Sequence, residues 1–103
     1  MTARHRPHIA LLAAPETSAS VLYGLYDVLV SVGAVFPDMT TGEAGDALLD
    51  VSIVAASAEP FRCTGGILVE PHHALADVDA VDVAVICDTY TSIDEPPTGR
   101  YGI

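Results

Sequence analysis

The sequence predicts an α/β domain built on a parallel sheet, and three observations carry that prediction. Residues 8–14, 50–56 and 80–87 are apolar without alternation, which is how strands covered on both faces read. Residues 17–32, between the first two runs, place apolar side chains at helical spacing. A Gly65-Gly66 pair separates two β-prone segments, the mark of a small hairpin. With 103 residues, 50% of them hydrophobic, the chain reads as a single domain over 1–103.

Local chemistry justifies each element in turn. His8 to Ala14 is bounded by Pro7 and Pro15 and forms the first strand. Val21, Leu22, Leu25, Val28, Leu29 and Val32 then make an apolar stripe, with Ser20, Gly24, Asp27 and Ser31 on another face, as in an amphipathic helix. Thr17 or Ser18 suits its start and Gly33 its end. Residues 34–49, with Pro37, two glycines and three acids, read as a surface connection. Asp50 to Ala56 is the second strand, which completes a βαβ unit whose crossover should be right-handed. Phe61–Thr64 and Ile67–Glu70 should pair across a two-residue Gly65-Gly66 turn, whose positions need positive φ. Pro71 to Asp77 suggests a short helical turn, and Ala80 to Cys87 a third buried strand. Beyond Asp88, Pro96-Pro97, Gly99 and Gly102 break every period, so that stretch reads as loop.

Composition excludes several function classes. The chain has four arginines, no lysine and fourteen acids, for a net charge of −10, so it offers no basic surface for nucleic acid or anionic lipid. Two cysteines are too few for a disulfide framework and lack the spacing of a zinc site. The apolar run after Arg4 and Arg6 is about six residues, below the roughly 7–15 of a secretory signal. No stretch approaches the roughly 18 apolar residues of a membrane span. A cytoplasmic protein without membrane contact is expected.

In open α/β sheets ligands gather beyond the carboxyl ends of the strands. The informative positions are therefore Pro15-Glu16-Thr17, Ala58-Glu59-Pro60 and Cys87-Asp88-Thr89. Glu16 stands out. It reads either as a functional carboxylate facing the crevice or as a helix-start acid complementing the dipole and drawing on the Thr17 and Ser18 backbone donors. Cys87 reads as a reactive thiol or, more simply, as a buried apolar residue. His72 and His73 are adjacent and point apart in extended chain, as a solvated pair would, and His5 and His8 lie near a terminus with nothing to recommend them. No nucleophile elbow is present, and Gly65-Gly66 lacks the helix start of a phosphate cradle. Neither a metal nor a cofactor is expected.

The stretch Ile9-Ala-Leu-Leu-Ala-Ala-Pro-Glu-Thr-Ser-Ala-Ser-Val-Leu-Tyr-Gly-Leu-Tyr-Asp-Val-Leu29, followed by Thr64-Gly-Gly-Ile-Leu-Val-Glu-Pro71 and Asp82-Val-Ala-Val-Ile86, resembles the DJ-1/PfpI family of the class I glutamine amidotransferase-like superfamily. The nearest likeness is to the version that forms the N-terminal domain of AraC-type transcriptional regulators. The resemblance implies a flavodoxin-like three-layer sandwich, of which this chain is the first half. It also implies an acidic residue after strand 1 that hydrogen-bonds a nucleophilic cysteine on a later elbow. Glu16 matches the acid and becomes the one catalytic candidate by resemblance. The elbow cysteine is not matched, and Cys87-Asp88-Thr89 stands where the family commonly places glycines as oxyanion donors. A nucleophile without a base or donors does not turn over.

The expected function is accordingly a truncated, non-catalytic domain related to the ligand-sensing and dimerisation domain of a regulator. It would bind a small-molecule ligand and form a homo-oligomer, without direct nucleic-acid contact. Two alternatives stay open: the N-terminal half of a cysteine-dependent hydrolase, glyoxalase or amidotransferase-like enzyme, and a small stand-alone interaction module that oligomerises.

Overall fold

A computed structural model describes residues 6–88 of the chain. Strand β1 (His8–Leu12) leads to helix α1 (Ala19–Val30), a short helix α2 (Val35–Thr41) and strand β2 (Asp50–Ala55). A hairpin of β3 (Phe61–Arg62) and β4 (Leu68–Val69) follows, then β5 (His73–Ala74), a 3-10 turn (Leu75–Asp77) and β6 (Val83–Ile86). Four strands form one parallel sheet in the order β5-β2-β1-β6. The expected α/β class and parallel sheet are thus present.

Side-chain alternation along β1 and β2 divides the sheet into two faces. Ile9, Leu11, Ala13 and Ile53 meet Leu22 of α1, and Cys63, Val69 and Cys87 close the same core. Ala10, Leu12, Val54 and Ile86 belong to the opposite face, away from α1. Burial on α1 centres on Leu22, with Ala19, Tyr23, Leu25, Tyr26 and Leu29 packed beside it. Val28, expected on the stripe, is instead 65% exposed. The stripe is rotated toward the two tyrosines, of which Tyr26 stacks on His72 and Tyr23 reaches Leu68 O of the hairpin.

Three expectations are corrected and a fourth is met in part. The connection over 34–49 contains α2, because Pro37 falls in the first turn, where its missing N–H has no helical partner to lose. Gly42 ends this helix in the left-handed region at φ 82°. The hairpin loop has three residues between Cys63 and Ile67, not two. Cys63 N–H donates to Ile67 O and Gly66 N–H to Cys63 O, at 2.9 Å each, because Thr64 N–H is directed to Thr17 O instead. Gly65 and Gly66 do take positive φ, 88° and 86°. Residues 71–77 do hold the expected short helical turn, as a 3-10 helix over Leu75–Asp77, but it is preceded by the strand pairing of β5. Finally, among the described residues β6 is an edge strand that no helix covers, so Val83 and Ile86 are 49% and 54% exposed and the run is not a buried third strand. Residues 89–103, read as loop, lie outside the described residues, as does His5.

Candidate functional site

The turn after β1 is built by Thr17. Its Oγ1 accepts the Ala14 N–H at 3.0 Å while its own N–H donates to Ala14 O at 2.9 Å. The side chain is almost wholly buried. This reciprocal pair locks the turn that carries Pro15 and Glu16, so Thr17 closes a turn and does not cap α1.

Ser18 is the residue that precedes α1, yet its hydroxyl makes no capping bond within the helix. Its Oγ donates to Asp88, 2.9 Å and 3.0 Å from the two carboxylate oxygens, and its N–H donates to Asp88 Oδ1 at 3.2 Å. The carboxylate at the start of α1 is therefore Asp88, delivered from beyond β6. Glu16 does not receive the Thr17 and Ser18 donors that its sequence position suggests, since both are committed elsewhere.

β1 has neighbours on both sides, β2 and β6, and the crevice between β1 and β6 is where an open α/β sheet commonly binds ligand. Here Asp88 occupies that crevice. The open space lies beside it, as a hollow of about 610 Å³ at the carboxyl ends of β1 and β2, within the roughly 300–1,000 Å³ of small-molecule sites. Leu12, Val54, Phe61, Leu75 and Ile86 supply apolar wall, with Glu16, Ser57 and Glu59 among the polar residues. Of the three expected strand-end positions, those at Glu16 and Glu59 line the hollow. Cys87 and Asp88 do not, and Thr89 lies outside the described residues.

Both cysteines are buried and free. Burial, and secondarily the Asp88 charge, pushes the Cys87 thiol above its ordinary value of 9.0, the opposite of an activated nucleophile. Cys87 packs in the α1-side core, as its apolar reading anticipates. Tyr23 is likewise raised above 10.0 by burial, then by Cys63 and Glu70, and its hydroxyl donates to Leu68 O at 3.3 Å.

Two histidines have roles that their sequence context conceals. His8 Nδ1 lies 2.9 Å from Ala80 O, and since a carbonyl only accepts, this nitrogen carries the proton. Nε2, 2.7 Å from Ser52 Oγ, then accepts the hydroxyl. The ring ties β2 to the chain entering β6 at the amino ends of the strands, away from the hollow. His72 Nδ1 accepts the Ile53 N–H at 2.8 Å while His72 N–H donates to Ile53 O, and its ring stacks on Tyr26 at 5.6 Å. It holds the edge of β2 while, like His73, it remains exposed, in keeping with the solvated reading. Among the described residues no group of three His, Cys, Asp or Glu side chains is placed to hold a metal ion, and no helix is long and apolar enough to cross a membrane.

No family model, curated protein or solved structure matches the chain.

Proposed function

We propose that this chain is a non-catalytic α/β ligand-binding module whose pocket is the hollow beyond β1 and β2. The observation that carries the reading is the pairing of that apolar hollow with the seclusion of both thiols, which face the core and do not line it. The space can hold a small apolar molecule, whereas cysteine chemistry has no access to it.

The same reading extends the resemblance to DJ-1/PfpI domains in the AraC-type regulator version, with a flavodoxin-like sandwich acting in the cytoplasm as ligand sensor and dimerisation element. The three longer strands lend support: without the two-residue edge strand β5, which makes the full order third–second–first–fourth, β2, β1 and β6 lie second–first–third as at the start of a flavodoxin-like sheet. Self-association is supported by β6, at the edge of the sheet among the described residues, where Val83 is 49% exposed outside the hollow.

Titration of the isotope-labelled chain with 1-naphthylmethanol, followed by amide NMR, tests the reading. Saturable shifts should cluster at Ala14, Ala56 and Phe61, and Ala56→Trp, at an exposed lining position, should abolish them. Shifts that never saturate, or that survive Ala56→Trp unchanged, would refute it.

A further inference from the structure

We propose that the hollow selects an apolar amine, bound as its ammonium ion with Glu16 and Glu59 as charge partners; the proposal rests on the hollow being a ligand pocket. Among the described residues lining it, these two carboxylates are the ionisable side chains. They stand at the rim of a wall made by Leu12, Val54 and Phe61. Glu59 is exposed and Glu16 half-buried, so an ammonium group can meet them without the full desolvation that makes deeply buried ion pairs costly.

A second observation points the same way from a different residue. The start of α1 borders this end of the sheet and would ordinarily favour an anion, but the Asp88 carboxylate already holds the Ser18 N–H and hydroxyl. A phosphate or carboxylate ligand would meet the Asp88 charge there. The chain has no lysine. Of the described arginines, Arg6 lies 4.0 Å from Asp50 and Arg62 donates to Gly66 O at 2.8 Å, and neither lines the hollow.

Size and long-range charge exclude the other occupants. About 610 Å³ suits a molecule of one or two rings, and is small for a partner helix. A second copy is a poor filling for the hollow because it brings a further charge of −10, and the same field raises the local concentration of cations.

Three ligands of matched shape separate this proposal from the reading beneath it: 1-naphthylmethylamine, 1-naphthylmethanol and 1-naphthylacetate, titrated at pH 7 in low and high salt with amide NMR as readout. The amine should bind at least roughly tenfold more tightly than the alcohol, a ratio readily resolved by titration, with the acetate weakest. Glu59→Gln should remove most of that advantage, Glu16→Gln should reduce it further, and high salt should shrink it. Amine-induced shifts should cluster at Ala14, Ala56 and Phe61. If the alcohol binds there as tightly as the amine, or if Glu59→Gln leaves the preference intact, the pocket stands and the amine proposal falls. If amine shifts spread over the acidic surface, the preference is bulk charge and the proposal falls as well. If none of the three binds, the pocket falls with it.

Discussion

Replacing Asp88 with alanine should destabilise the domain by about 1 kcal/mol, the middle of the range for losing a helix-capping side chain. The side chain accepts both the N–H and the hydroxyl of Ser18 at the start of α1, and its charge adds to the dipole interaction there. Because Asp88 is exposed, solvent screens the charge and the estimate stays at mid-range. For a domain of this size 1 kcal/mol corresponds to a fall in Tm of roughly 4–8 °C, which far-UV circular dichroism resolves. Asp88→Asn keeps an acceptor for the Ser18 N–H and should lose about half as much. In a double-mutant cycle with Ser18→Ala, the two losses should be non-additive, since both remove the hydroxyl–carboxylate contact while the N–H bond is lost only with Asp88. An unchanged midpoint in Asp88→Ala, or additive losses in the cycle, would show that α1 does not depend on this carboxylate.

Three further outcomes are expected. Cys87 is raised in the fold, so the neutral thiol is favoured there; the associated stability is complete below pH 9.0, where the unfolded thiol titrates, and is lost as pH rises through the folded value. Tyr23 acts in the same direction from pH 10.0 upward, so urea midpoints measured from pH 7 to 11 should decline above about pH 9, and a rise there would contradict the assignment. Gly33→Ala should cost at least about 1–2 kcal/mol, because φ is 82° and a Cβ would sit 2.5 Å from Asp46 O; a Tm equal to that of the parent chain would exclude the close approach. Sedimentation velocity at micromolar concentration should show self-association that strengthens with salt, as screening of the −10 charge lets the exposed apolar edge at β6 act; a single monomer species at every salt concentration would argue against it.

The parts of the fold legible in the sequence were those specified by local pattern. The unbroken apolar runs at residues 8–14 and 50–56 exposed β1 and β2, the 3.6-residue period exposed α1, and Gly65-Gly66 marked the hairpin. Helix α2 was hidden by Pro37, whose helix-breaking effect depends on its distance from a helix start that the sequence does not announce. The hairpin register was set by Thr17 O claiming Thr64 N–H, a long-range contact without a sequence mark. Glu16 and Glu59 were legible as strand-end carboxylates. Asp88 sat in the third such position, but its attachment to Ser18 across 70 residues belongs to the tertiary structure alone. The same is true of His8, whose ring partners Ser52 and Ala80 assemble only when the strands align.

The grip of Thr64 and Asp88 on the segment around Ser18 also bears on the order in which the chain can settle during synthesis. The turn after β1 and the start of α1 leave the ribosome early, but the hairpin tip that pairs with Ser18 and the carboxylate that completes the helix start arrive last. Because a non-local contact contributes only after its connecting loop has closed, α1 emerges with its first turn unfinished and its apolar side exposed. A nascent chain halted before residue 88 should therefore be markedly more open to protease around Thr17–Val21 than one extended past it, and the vulnerable interval in making this domain is the translation of residues 31–88.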